Sequence, residues 1–589
     1  MTLKYERDSL IDEMGHITLK QRYLLKSESS PQDMFWRVAA KYGEDSRHTL
    51  RLYSYFSRHW IMPSTPILSN GGTTKGLPIS CYLNYIHDSR EGITGHYTEN
   101  AFLSSLGGGI GGYIGDVRSN GTPTSHGSES TGIIPFIKVI DSEVLAFSQG
   151  VTRRGAYAIY NRIDHPEIEE FLDIKKTTGG DINRKCPNLF PGVVITDEFM
   201  EKIDQATKVP GFDDSFDLVD PHTKKVVKTV SAKALWIKLL INRMETGSLF
   251  IVFEKAIGDG LPESLKALGL KVHHSNLCTE ITLPTNEERT AVCCLSSINI
   301  AKYGEYKNRF KQVVEDLTLF LDNVLEDFIT NAPPQLKKAV TSAVGERSIG
   351  MGALGLHTYF QKNRIMFDSV AAKSFNNFFF KKYKEYAVEA SIKLAEKKGT
   401  YQDAGDLDNK RHAHLLAVAP NASTSILAGN ISPSIEPMLA NAFVKKTKSG
   451  TFVYKNPEFE KVLQALGKDE DKIWKSICSN KGSVQHLDFL DQETKDIFKT
   501  AYELDQRWII DLAGDRQKHI CQAQSLNIFL PSNAHVAEMH NIHMLAWKKN
   551  LKTLYYLRSM SLQRTDDLNK KIEREYLIDY ESSCVACEG

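Results

Sequence analysis

The sequence predicts an α/β protein with a mainly parallel, closed sheet and a helical N-terminal region. Three observations carry this. Apolar residues recur at helical spacing through residues 1 to 60. Strand-like runs follow at PGVVIT (191–196), SLFIVFE (248–254) and CLSSINIA (294–301). Helical segments, SAKALWIKLLINRM (231–244) and FKQVVEDLTLFLDNVLEDFI (310–329), alternate with them, as the crossovers of a parallel sheet require.

In chain order, DMFWRVAAKY (33–42) and TLRLYSYFSRHW (49–60) place apolar side chains on one helical face. From Met62 to about Gly180 the chain becomes rich in Gly, Ser and Thr. Short apolar runs there, PISCYLNYI (78–86) and GIIPFIKVI (132–140), predict buried strands and helix ends joined by functional loops. No fixed-period repeat or low-complexity tract is present. The end changes character: a charged DDLNKKIEREY precedes a small, acidic IDYESSCVACEG, the pattern of a mobile tail.

The 589 residues, with 41% hydrophobic, 25% charged, 39 Gly and 20 Pro, exclude collagen-like, disordered and disulfide-scaffold classes. A net charge of +1 gives no global attraction to nucleic acid. The N-terminus MTLKYERDSL is charged where a secretory signal needs an apolar core, and no run approaches 18 apolar residues. A cytoplasmic protein with no membrane or nucleic-acid partner is expected.

GGGIGG (107–112) and GMGALG (350–355) both match Gly-x-Gly-x-x-Gly, the dinucleotide-binding fingerprint. Their contexts argue otherwise. The first is followed by YIGDVRSNGTP, a strand-to-turn pattern, where the fingerprint needs a helix to receive a pyrophosphate; the second follows TSAVGERSI, which is no buried strand. Close backbone packing or nucleotide-phosphate contact is the other use of such glycines.

Nine cysteines, an odd number spread along the chain, are unlike a secreted disulfide framework. In SNLCTEITLP, Asn276, Cys278 and Glu280 fall at i, i+2 and i+4, so in an extended strand an amide, a thiol and a carboxyl project from one face. The same alternation also arises at a polar sheet rim. A zinc site drawn from His273, His274, Cys278, Cys293 and Cys294 lacks the paired spacing such sites favour. Cys584 and Cys587 have suitable spacing but no second pair, and so near the C-terminus they read as an accessible redox dithiol.

The strings MPSTPILSNGGT (62–73), SCYLN (80–84), NLCTE (276–280), VCCLSSIN (292–299), APNASTSI (419–426), SPSIEP (432–437) and KTLYYLR (552–558) occur in this order. The ordered set closely resembles the catalytic large subunit of class I ribonucleotide reductase, from about residue 20 to the end. The resemblance implies the ten-stranded α/β barrel shared with glycyl radical enzymes, over residues 62–560, after a helical region at 1–61 and before a flexible tail at 561–589.

By that resemblance the chain reduces ribonucleoside diphosphates to 2'-deoxyribonucleotides. Cys278 carries a thiyl radical that abstracts the ribose 3'-hydrogen, Glu280 acts as general base on the 3'-hydroxyl and Asn276 hydrogen-bonds the sugar. Cys81 and Cys293 supply two electrons and become a disulfide, with Cys294 a buried neighbour. The tail pair Cys584 and Cys587 then reduces that disulfide and is recharged by a thioredoxin- or glutaredoxin-like protein. Tyr555 and Tyr556 match the pair that passes the radical from a metal-containing small subunit, so no tightly bound cofactor is expected beyond Mg2+ arriving with nucleotides. Trp547 also matches, whereas Asn550 stands where Gly is usual.

The substrate contacts implied are Thr65, Ser80 and Gly109, with Asn421, Ala422, Ser423 and Thr424 as a phosphate cradle at the entry of an apolar run. An allosteric specificity site at a homodimer interface, for a deoxynucleotide or ATP, matches Asp88 and Arg118, with Gln149 and Arg153 on the loop between effector and substrate. Only 61 residues precede MPSTP. The expectation is therefore a chain without the N-terminal ATP-cone, in which dATP acts as a specificity effector alone; such a length suits a compact, virus-like genome. A cobalamin-dependent reductase would share NLCTE and a tail pair but have no use for KTLYYLR.

Overall fold

The computed structural model of the protein describes residues 2–147, 155–447 and 450–560. Gln149, Arg153, Cys584 and Cys587 lie outside the described residues.

The N-terminal region folds as helices Glu13–Arg22, Pro31–Tyr42, Ser46–Ser57 and Thr65–Asn70. Ser30 caps the second of these, its hydroxyl accepting from the Gln32 amide while Asp33 reaches back to the Ser30 amide, a reciprocal cap that fixes where the helix starts. Asp45 caps the third through the His48 amide. Their apolar faces, including Phe35, Val38, Leu52 and Phe56, are fully buried in the main core with Phe320 and Leu321 of the helix Phe310–Asn331.

The barrel consists of two parallel half-sheets. In the first, the strands Cys81–Tyr85, Gly109–Tyr113, Tyr157–Arg162, Phe190–Ile195 and Phe250–Phe253 pair in sequence order, all parallel. In the second, Leu295–Asn299 pairs in parallel with Gly350–Leu354, and parallel bridges Met351–Leu416 and Val418–Gln524 carry the ladder onward. Ile528–Pro531 then pairs in parallel with Leu557–Met560. Counting 415–418 and the 524–531 stretch as one strand each gives five strands per half.

Two chain-adjacent strand pairs close the ring. The short strand Ala291–Cys293 runs antiparallel to Cys81–Tyr85 and leads directly into Leu295–Asn299. On the far side, Thr553–Leu554 runs antiparallel to Phe250–Phe253 and leads into Leu557–Met560. The α/β barrel with a helical N-terminal region is the fold expected from the sequence.

Two local readings become specific and one differs. GIIPFIKVI is not a strand: Pro135 opens the helix Ile134–Ala146, because a short apolar run does not by itself distinguish a buried strand from a buried helix. GMGALG is itself a strand, ended by Gly355 at φ 79° at the start of the helix Leu356–Lys362. NLCTE is not extended; residues 271–290 enter the barrel as a finger-like loop, and Thr279 at φ 65° turns its tip.

The first glycine run explains how that finger fits. A Cβ on Gly111 would lie 2.2 Å from the Ser275 carbonyl oxygen and 2.8 Å from the Asn276 Cα, so only glycine lets the finger pass beside the 109–113 strand. Gly111→Ala is expected to cost ~1–3 kcal/mol of stability through overpacking. It should also lower turnover by about 10²-fold by displacing the tip; equal melting temperatures and equal turnover would refute the packing account.

Candidate active site

The finger tip is held from three sides. Ser525 donates to the Cys278 carbonyl (2.6 Å) and to Glu280 Oε2 (3.2 Å). Thr553 donates to the Thr279 carbonyl (2.8 Å), and the Tyr160 hydroxyl donates to the Asn276 carbonyl (2.6 Å). The Ala523 amide donates to the Glu280 carbonyl. These bonds replace those an extended strand would have made, so a turn buried in a barrel still has its backbone satisfied.

Asn276, Cys278 and Glu280 nevertheless converge, through the turn rather than through strand alternation. Asn276 Nδ2 donates to Cys81 Sγ at 3.1 Å, the Asn276 side chain also bonds Glu280, and the Cys81 thiol points at Glu280 Oε1 at 3.6 Å. Burial raises the Glu280 pKa, opposed by hydrogen bonds from Asn276, Ser525 and Cys81. A carboxyl so placed can exchange a proton with a bound hydroxyl.

Cys81 and Cys293 are direct cross-strand partners and share a small apolar cluster with Ile281, Leu283 and Leu295. Cys294, one residue on, faces the opposite side of the sheet, its thiol toward the Leu321 carbonyl (3.5 Å). That alternation is the pleat, and it separates the two neighbouring cysteines. Burial, with Cys294 and Cys81 nearby, holds the Cys293 thiol well above the ordinary range, and Cys294 is pushed up to about 12. Both remain protonated thiols at neutral pH.

A cleft of about 80 Å³ is lined by Cys81, Cys278 and Glu280 together with Thr65, Ser80 and the 421–424 segment. Asn421 adopts φ 54° ahead of the short helix Ala422–Leu427; its amide donates to the Ala353 and Ala419 carbonyls, and its Oδ1 accepts from Ser297. Asp12 of the N-terminal region accepts from Asn430 just beyond that helix. Ser80 donates to Ser64, and Thr65 pairs with the Tyr23 hydroxyl. Backbone N–H groups at such helix starts favour anions. Gly109 lies beside Cys81 in the ladder rather than on the cleft wall.

Cys278 itself belongs to a different apolar cluster from Cys81 and Cys293, one that also contains Phe250, Tyr555 and Tyr556. The tyrosine rings sit 4.2 Å apart, centroid to centroid, with Phe250 4.8 Å from Tyr555 and Arg558 5.2 Å over Tyr556. The Tyr555 amide donates to the Leu526 carbonyl and the Tyr556 amide to Asn527 Oδ1, tying the pair to the Ser525 segment that holds the finger. Trp547 donates to Asp197, and Asn550 takes φ 54°, the conformation for which Gly would be the easy choice.

Asp88 and Arg118 are brought together away from the cleft, Arg118 Nε donating to both carboxylate oxygens at 2.9 and 3.1 Å and Nη1 to the Pro123 carbonyl, with His222 3.4 Å from Asp88. Sequence reasoning missed Ser525 and Tyr160. Each belongs to an ordinary buried segment, and only the partner across the barrel reveals its use.

The chain matches the ribonucleotide reductase barrel domain over residues 79–408 and 402–557, and the all-alpha domain over residues 9–76. A ribonucleoside-diphosphate reductase large subunit from Invertebrate iridescent virus 3 is 38% identical over 640 residues, covering 100% of both chains. The chain belongs to the ribonucleotide reductase large-subunit family. A Caenorhabditis elegans large subunit is 31% identical, covering 99% of this chain and 82% of its own. Among solved structures, the Actinobacillus ureae class Id ribonucleotide reductase alpha subunit superposes with a TM-score of 0.83 at 34% identity, covering 95% of this chain and 99% of that one. This ribonucleotide reductase large subunit is an oxidoreductase of deoxyribonucleotide synthesis. Among the described residues no helix is long and apolar enough to cross a membrane, and no group of three or more His, Cys, Asp or Glu is arranged to hold a metal.

Proposed function

We propose that the chain reduces ribonucleoside diphosphates by a thiyl radical formed at Cys278. The observation that carries the reading is the single cleft in which Cys278, Glu280 and Cys81 meet the 421–424 helix start, with the Tyr555–Tyr556 pair in the same apolar cluster as Cys278. The radical, generated on a small subunit, passes through the tyrosines and leaves Cys278 as a sulfur radical. That sulfur takes the 3'-hydrogen, Glu280 accepts the 3'-hydroxyl proton and Asn276 orients the sugar. The 2'-hydroxyl leaves as water with a proton from the cysteine pair. Cys81 and Cys293 supply two electrons and two protons in all and form one disulfide, after which Cys278 returns its hydrogen to C3'.

Their cross-strand pairing favours Cys81 with Cys293, and the outward turn of Cys294 disfavours the alternative. Thr65, Ser80 and residues 421–424 hold the diphosphate with its Mg2+, Gly109 lying alongside. The tyrosine pair and the likeness to a class I alpha subunit support class I over a cobalamin-dependent enzyme. The test is conversion of CDP to dCDP by this chain with a competent small subunit and a dithiol. Turnover that needs cobalamin instead would overturn the class.

Cys584 and Cys587 relay electrons from a thioredoxin- or glutaredoxin-like protein. Replacing both by Ser is expected to abolish multiple turnover with a protein reductant while leaving about one dCDP per pre-reduced chain, since the Cys81–Cys293 pair still holds two electrons. Normal cycling of the double variant would refute the relay. Asp88 and Arg118, with Gln149 and Arg153, form the effector site for ATP or a deoxynucleotide. The packed helices Arg90–Ser105 and Ile134–Ala146 leave Phe102, Val139, Leu145 and Phe147 exposed, which supports a homodimer through this face.

A further inference from the structure

A second and larger cavity, of about 640 Å³, lies at the carboxyl ends of the first half-sheet and shares no wall residue with the catalytic cleft. Tyr85, Tyr113 and Arg162 close the first three of the parallel strands there, and Glu254 follows the fifth. Cys81 begins the strand that Tyr85 ends, so at ~3.3 Å per residue the two sites are about 13 Å apart along it. The carboxyl ends of parallel strands are where α/β folds hold ligands, and this volume suits a metabolite.

The cavity wall is built. Asp116 accepts from the hydroxyls of Tyr85 (2.8 Å) and Tyr113 (3.2 Å), fixing both rings. His273 packs on them with centroids 5.1 and 5.0 Å away. Glu254 is taken by Arg162 at 2.8 Å. Both wall carboxylates therefore already have partners. The cations do not all have one: Lys266 pairs with Glu263, but Lys224 and Lys271 make no ion pair and no side-chain hydrogen bond among the described residues. Lys224 is held at φ 59° in a turn that Asp220 pins by accepting from the His222 and Thr223 amides. A left-handed Lys presented by a braced turn is a side chain placed by its surroundings.

We propose that this cavity binds a phosphate-bearing anion between Lys224 and Lys271, against the Tyr85–His273 wall. Lys271, Val272 and His273 are the entry of the finger whose tip carries Cys278. An anion there touches the base of the catalytic loop without entering the cleft.

Calorimetric titration of the full chain, its specificity site saturated with dTTP, tests this with inorganic tripolyphosphate and, separately, ATP as probes. Tripolyphosphate should bind, and Lys224→Ala with Lys271→Ala should weaken it at least tenfold, whereas Ser423→Ala in the catalytic cradle should leave it unchanged. Both lysines are exposed, so the double variant should keep the wild-type melting temperature. Hydrogen exchange over residues 271–280 should slow with probe in the wild type and not in the double variant. ATP binding that shows the same loss supports a nucleotide as the source; ATP indifferent to the double variant, with tripolyphosphate still sensitive, supports a smaller phosphate ligand. No tripolyphosphate binding at millimolar concentration, or equal affinity in wild type and double variant, overturns the proposal.

Discussion

Cys278→Ser is expected to reduce turnover by more than about 10⁴-fold, equivalent to roughly 5 kcal/mol or more in the barrier. An O–H bond is much stronger than an S–H bond, so a serine at the tip cannot be converted to a radical by the tyrosine pair. Substrate and effector binding should persist, because Asn421 is held by Ser297 and the Ala353 carbonyl, and Arg118 by Asp88. Cys278 is only 6% exposed, so burying a hydroxyl in its place adds ~1–3 kcal/mol of destabilisation at most. Measured CDP reduction, with nucleotide binding followed in parallel, separates the two effects. Turnover above contaminating wild type would remove Cys278 from the reaction.

Tyr555→Phe and Tyr556→Phe are each expected to stop turnover, by about 10³-fold or more, with little loss of fold. Phenylalanine keeps the ring contacts with Phe250 and the neighbouring tyrosine but offers no O–H to oxidise. The loss should appear only when the small subunit supplies the radical, and effector and substrate affinity should not change. Full activity in both variants would mean that the radical reaches Cys278 by another route.

Much of this was legible in the sequence because the signal was local. The helices Pro31–Tyr42, Ala232–Thr246 and Phe310–Asn331, and the strands Phe190–Ile195 and Phe250–Phe253, lie where apolar periodicity places them. The finger was not legible in that way. Its i, i+2, i+4 pattern suggests an extended strand, whereas Thr279 turns it and its bonds come from Ser525, Thr553 and Tyr160, from 116 to 274 residues away in sequence. No local pattern encodes those partners. The glycine run looked like a cofactor loop because close approach to a phosphate and close approach to another backbone place the same demand on Gly111. The ordered strings named the family but not the second cavity, whose residues come from five separate stretches of chain.

The closure of the barrel also governs how the protein is made. Val252 pairs with Thr553, 553 − 252 = 301 residues later. On a ribosome the strand Phe250–Phe253 therefore remains an open, wholly apolar edge until almost the entire chain has emerged, a state that invites pairing with the wrong neighbour. Ser525 and Thr553 also arrive late, so Cys278, buried in the finished barrel, acquires its shelter among the last steps of synthesis. Prematurely terminated chains ending before residue 553 should be recovered largely as aggregates, and chaperone demand should concentrate in the final stage of translation.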